Sequence, residues 1–215
     1  MDRVKNCEEK FGELFGGKPT QNEGNDPEFM CILQRFIFGE VCYTGSLDNR
    51  MRELITITVL TVYGALPQLK SHTGACLNIG IPPVEIRETV YQCAPFIGFP
   101  KTLNAIAVID EVFQANGISL PLDTCATVTE DTRYEKGLAL QAPVYGDEIR
   151  QRYSWLPGRF KDAVPDYLTA FGIGDFSTRK GLPVKERELL TVVILAALGG
   201  AEMQVRAHVS GALKV

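Results

Sequence analysis

The strongest constraint on this chain is that it repeats itself. NRMRELITITVLTVYGALPQLKSHTGACL (Asn49–Leu77) lies over VKERELLTVVILAALGGAEMQVRAHVSGAL (Val184–Leu213), with a one-residue insertion near Gly199–Gly200. Each segment runs Arg-Glu-Leu, an apolar stretch, a glycine break and a histidine segment. The only two histidines, His72 and His208, occupy the same frame. Upstream, FGEVCYTGSL (Phe38–Leu47) faces FGIGDFSTRKGL (Phe171–Leu182). RVKNCEEKFGELFG (Arg3–Gly16) faces RYEKGLALQAPVYG (Arg133–Gly146), with the Arg and the Gly both stepping by 130. Self-similarity at a long period means one structural unit built twice. The boundaries read as copy one over 1–117, a linker over 118–130 rich in Thr and turn formers, and copy two over 131–215. The second copy reads as C-terminally short, because the part of copy one beyond Leu77 has no counterpart before Val215. Either a portion is missing from the chain, or copy two is naturally incomplete.

The repeat reads as helical. Val4, Cys7, Phe11, Leu14 and Phe15 recur at helical spacing. Asp26-Pro27 suits an N-cap and first helical position for a helix through Phe38. Pro82-Pro83 opens a helix with Ile86, Val90 and Cys93 on one face. Pro100 opens another with Leu103, Ile106, Ile109 and Phe113 inward, stopped at Asn116-Gly117. Ile55–Val59 alternates as a half-buried strand does, but its partner Leu189–Leu198 does not. Two copies share one structure, so both are expected to be buried helices and the fold all-α.

Several function classes drop out. A net charge of −4 gives no basic footprint for nucleic acid or an anionic membrane. The longest apolar runs, Leu54–Leu66 and Leu189–Ala201, are shorter than the roughly 18–20 residues that span a bilayer. MDRVKNCEEK carries charges where a signal peptide has its apolar core, so a cytoplasmic protein is expected. Cys7, Cys31, Cys42, Cys76, Cys93 and Cys125 include no C-x-x-C and no metal-type spacing, and read as reduced, mostly buried thiols.

The chemistry lies in the repeated Glu and His. Glu53 opens a helix about 18 Å of axis before the glycine break, and His72 lies about 10 Å after it, at 1.5 Å per residue. Antiparallel helices about 8–10 Å apart let the two side chains meet directly or through one water. A carboxylate beside an imidazole fixes its tautomer and makes a general acid/base pair. Glu188 and His208 repeat the relation. Against this stands a structural reading: hydrogen-bonded histidines that duplication copied, and Arg-Glu as a dipole-favoured, solvated pair at a helix start. Lys70 and Arg206, two residues before each His, are either solvated or grip a substrate carboxylate.

The run Arg-Glu-Leu…Gly…Gln-x-[Lys/Arg]-x-His, together with NIGIPPVEIRETVYQCAPFIGFPKTLNAI (Asn78–Ile106) and RYEKGLALQAPVYGDE (Arg133–Glu148), resembles the carboxymuconolactone decarboxylase family. That family also includes the alkylhydroperoxidase D proteins. The resemblance implies an all-helical fold that assembles into rings, and one of two chemistries. The peroxidase branch needs a C-x-x-C pair, whose places here hold Ala65 and Gln68 in copy one and Ala201 and Gln204 in copy two. The decarboxylase branch needs no thiol, only a group to orient a carboxylate and an acid to protonate the carbon left behind.

The expected function is therefore a decarboxylase-type lyase needing no cofactor and no metal, acting on a small carboxylated lactone or related acid. Glu53 with His72 and Glu188 with His208 are the expected proton-transfer pairs. Lys70, Arg206, Gln68 and Gln204 are candidate substrate-binding groups. The alternatives are an antioxidant protein using Cys76, one helical turn after His72, and a non-catalytic assembly protein of the same fold. A fused pair of units is expected to form a homotrimer.

Overall fold

The computed structural model describes residues 2–21, 23–146 and 149–215. The first half forms α1 (Arg3–Phe15), α2 (Pro27–Gly39), α3 (Asn49–Tyr63), α4 (Leu66–Asn78), α5 (Pro83–Ile97) and α6 (Phe99–Ala115), with a 3-10 turn at Val41–Tyr43. The second half forms α7 (Arg133–Tyr145), α8 (Ile149–Arg152), α9 (Phe160–Tyr167), a π-helical stretch (Leu168–Ser177), α10 (Val184–Leu198) and α11 (Glu202–Ala212). No strand occurs among the described residues, and the fold is all-α. Asp147 and Glu148, the end of the Arg133–Glu148 stretch, lie outside the described residues.

Local chemistry sets the helix ends. Asp2 accepts from the amides of Val4 and Lys5, and Asp48 accepts from Met51 N at 2.8 Å, each satisfying orphan donors of a first turn. Asp26 stands before α2 but makes no capping bond, so that start rests on Pro27 alone. The alternating ITITV stretch is helical within α3. Thr56 and Thr58 turn their hydroxyls back onto the carbonyls of Arg52 and Leu54, so these β-branched polar residues sit in a helix with no group unpaired. Leu54 and Ile57 of α3 meet Leu69, Ile86, Val90, Ile109 and Phe113 in the main core. Leu103, expected inward on α6, is 61% exposed.

The repeat holds in three dimensions where the sequence suggested a slip. Gly39 and Gly174 are counterparts, because a methyl on either would collide with the carbonyl of Arg3 or of Arg133 respectively. The next residues agree: Arg3 pairs with Glu40 at 3.0 Å, and Arg133 with Asp175. One constant step of 135 therefore runs from Gly39/Gly174 to Glu53/Glu188. Matching the Phe-Gly dipeptides of Phe38–Leu47 and Phe171–Leu182 puts that stretch two residues out of register, since close helix approach selects Gly174 and not Gly172.

The two halves interleave. Helix α10 packs on both α3 and α5, and Leu182 and Leu190 enter the main core. Glu88 of α5, fully buried, accepts from Arg179 at 2.9 and 3.0 Å and from Arg187 at 3.0 Å. Gln92 joins in, accepting from Arg187 and donating to Thr191. Residues 118–130 are strapped down rather than free. Arg87 donates to the carbonyls of Leu122 and Asp123, and Ile118, Leu120 and Leu122 pack on the core. One asymmetry remains. Helix α6 lies on α4, while the matching side of α11 stays open, with Met203 80% and Leu213 85% exposed. No helix of the described residues is long and apolar enough to cross a membrane.

Candidate active site

Each candidate pair is built by a helical hairpin. Gly64, at φ +69°, ends α3 in the left-handed region that a side chain disfavours, and the chain reverses into α4 through Pro67. The reversal brings His72 Nδ1 to 2.8 Å from Glu53 Oε2. Glu53 is 4% exposed, so its carboxylate faces the imidazole and little water. Phe15 of α1 lies edge-on to His72, with ring centroids 5.4 Å apart. In the second half His208 Nδ1 stands 3.1 Å from Glu188 Oε2. Phe96 of α5, from the first half, approaches the His208 ring edge-on at 6.3 Å.

The arginine of each Arg-Glu pair is not a solvated partner of its neighbour. Arg52 donates to the carbonyls of Val41, Thr44 and Leu47, and Arg187 to those of Arg179 and Lys180. Both tie down the loop that precedes their own helix. That clamp fixes the helix start, and with it the following glutamate.

The second site contains a residue that sequence reading missed. Tyr145 donates its hydroxyl to Glu188 Oε2, and the tyrosine oxygen itself lies 2.6 Å from His208 Nδ1. Burial and the hydrogen bond to Glu188 both push the Tyr145 hydroxyl upward, so it stays protonated. The sequence carried only the correspondence: the step of 130 that matches Arg3 with Arg133 places Tyr145 on Phe15, whose position beside His72 the fold reveals. A cleft lined by Gln141, Val144, Tyr145, Ser177 and Glu188 adjoins this group.

The other expected groups are placed differently. Lys70 stands two residues from His72, about 200° around the helix, and pairs with Glu111 of α6 at 3.0 Å on the surface. Arg206 is exposed and stands in the same relation to His208. Helical geometry thus turns both cations away from the imidazoles. Gln68 and Gln204 are exposed, each one turn before its histidine and on the same side of the helix. Cys76 is fully buried, and burial together with the charge of Glu53 pushes its thiol up. No cluster of three or more metal-type side chains occurs among the described residues.

In each site Nδ1 faces the carboxylate, which leaves Nε2 as the nitrogen available to a ligand. A buried carboxylate at hydrogen-bond distance stabilises the imidazolium formed when Nε2 takes a proton. The arrangement defines an all-helical, twice-repeated Glu–His site. The model of the carboxymuconolactone decarboxylase family matches residues 27–111 and 162–215, and the chain belongs to that family. It is 31% identical over 112 residues to the 4-carboxymuconolactone decarboxylase of Acinetobacter baylyi, a match covering 52% of this chain and 84% of the relative. A nitrosuccinic acid decarboxylase of Metarhizium robertsii is 30% identical over 77 residues, 36% of this chain and 54% of the relative. An uncharacterized 15.0 kDa protein of Paracoccus denitrificans is 36% identical over 78 residues, 35% of this chain and 58% of the relative. The chain thus spans little more than half the length of the last two.

Proposed function

We propose that this protein is a carboxy-lyase that decarboxylates a small carboxylated lactone or related acid, using Glu53–His72 and Glu188–His208 as proton-transfer pairs. The observation that carries the reading is the hydrogen bond from imidazole Nδ1 to a shielded glutamate, made twice, in a family with relatives named as decarboxylases. Loss of CO₂ breaks a carbon–carbon bond and leaves its electron pair on carbon, delocalised into an adjacent carbonyl. Nε2–H of the imidazolium protonates that carbon, and the glutamate carboxylate offsets the charge while the histidine is protonated. Solvent then restores the proton. Gln68 and Gln204, on the histidine side of their helices, supply amide N–H groups for the substrate carboxylate. The chemistry calls for no cofactor.

The test follows CO₂ release from a panel of carboxylated lactones by wild type, His72→Ala, His208→Ala and the double variant. Each single variant retains the other site's share, and the double variant loses about 10²–10⁴-fold, the usual range for general acid/base groups. Unchanged turnover in the double variant would rule out the histidines. No release from any lactone would rule out the substrate class.

We also propose that the chain assembles as a homotrimer. Phe171 in the second half is covered by Phe99 at a ring distance of 5.9 Å, whereas its counterpart Phe36 is 55% exposed. Phe29 and Ile32 extend the same face of α2, at 63% and 67% exposed, and a second copy of the chain covers it.

A further inference from the structure

The two sites differ by a coupled exchange on two helices. Copy one has Phe15 on α1 and Ala75 on α4, one turn after His72. The counterparts in copy two are Tyr145 on α7 and Gly211 on α11, one turn after His208. All four stand against their histidine segments: Phe15 and Tyr145 lie edge-on to the imidazoles at 5.4 and 5.2 Å, and Ala75 and Gly211 are buried. A methyl added at Gly211 would sit 2.9 Å from the Tyr145 hydroxyl and 3.1 Å from its ring carbons. The phenol oxygen therefore fills the room that the alanine methyl takes in copy one. The second half carries a hydroxyl where the first carries a methyl.

We propose that Tyr145 is a positioning residue that only the second site possesses. Its hydroxyl, seated in the space left by Gly211, ties Glu188 and His208 Nδ1 into one hydrogen-bonded group and makes the two sites non-interchangeable. The protons assign themselves. The raised tyrosine keeps its O–H and gives it to Glu188, so His208 Nδ1–H has the phenol oxygen at 2.6 Å and the carboxylate at 3.1 Å as acceptors. The opposite tautomer would set a bare Nδ1 lone pair against the carboxylate with a single proton among three heavy atoms. Nε2 of His208 is thereby left as the nitrogen that takes up a proton from solvent and delivers it, on a ring held from two sides. Among the described residues His72 has only Glu53 at its Nδ1 and a hydrocarbon ring at its edge. The inference rests on reading Glu188–His208 as a proton-transfer pair, but its test does not use turnover.

Two measurements on the full chain decide it. The first is a thermal-unfolding cycle of Gly211→Ala, Tyr145→Phe and the double variant. With Tyr145 present, Gly211→Ala lowers Tm by about 3–8 °C through overpacking. In the Tyr145→Phe background it raises Tm by about 1–3 °C, because alanine is the better helix former once the hydroxyl is gone. The same sign in both backgrounds overturns the coupling. The second is imidazole ¹⁵N and ¹H spectroscopy, assigned through His72→Gln because there are only two histidines. Tyr145→Phe moves the His208 Nδ1–H resonances towards those of His72 and leaves His72 in place. The reciprocal pair, Phe15→Tyr with Ala75→Gly, moves His72 towards His208. His208 resonances unmoved by Tyr145→Phe overturn the proposal, whatever the lactone assay shows. A protein that meets both expectations yet releases no CO₂ overturns only the substrate reading.

Discussion

Glu53 sits where an ionised side chain is costly unless it is answered, and His72 answers it at 2.8 Å. Glu53→Gln keeps an acceptor in place but removes the charge that stabilises the imidazolium. In a His208→Ala background, where only copy one acts, it is expected to lower CO₂ release by about 10²–10³-fold, with KM changed far less than kcat. The cysteines give a contrasting case. Cys76 and Cys93 are fully buried, and burial pushes both thiols up, so neither offers thiolate at neutral pH. Native protein treated with iodoacetamide should carry no label on either, as peptide mass spectrometry would show. Rapid labelling of Cys76 would revive the antioxidant alternative. Sequence spacing was enough to pair each glutamate with its histidine. Two-residue helical spacing, about 200° of rotation, already opposed a role for Lys70 and Arg206 on the histidine side of their helices.

Among the elements, the tightest requirement is where α1 crosses α2 and where α7 crosses the π-helical stretch. Gly39 lets the backbone carbonyl of Arg3 approach it closely, and Gly174 does the same for the carbonyl of Arg133; the clashing atoms are backbone, so no flexible side chain can give way. Gly39→Ala and Gly174→Ala are each expected to destabilise the protein by about 2–3 kcal/mol in urea unfolding, despite the higher helix propensity of alanine. Helix α3 shows how far local pattern goes. Its Thr-Ile alternation suggests a strand. Buried Leu54, Ile57, Thr58, Thr61 and Val62, the partly buried residues between them, and the back-bonding of Thr56 and Thr58 make it a helix packed on more than one side. Comparison of the two copies settled that choice from sequence, because Leu189–Leu198 has no alternation.

For the whole molecule, the decisive feature is the junction of the halves. Glu88 and Arg187 are both buried and hold each other across it, with Arg179 and Gln92 completing the set. Glu88→Ala leaves buried guanidinium charge uncompensated and is expected to cost about 3–5 kcal/mol in urea unfolding. Gly181, at φ +95°, lets its loop pass over Glu88, since a methyl there would stand 2.9 Å from the glutamate Cγ. The exposed face of α2 belongs to this scale too. Sedimentation equilibrium at micromolar concentration is expected to give three chains, and Phe36→Asp to shift the mass towards one. A wild-type monomer would remove the assembly proposal.

The sequence by itself determined that one helical unit occurs twice, that each carries a Glu and a His on consecutive helical segments, and that the places where the family resemblance implies C-x-x-C lack thiols. These come from residue spacing within each copy and from the likeness of the two copies, which a linear chain records directly. Only the tertiary structure decided the register between Gly39 and Gly174, the buried Glu88 cluster and the arrival of Tyr145 at the second site. Each of those depends on which elements approach one another and how closely. That is set by packing between segments up to 99 residues apart, as Glu88 and Arg187 are, and no local pattern carries it.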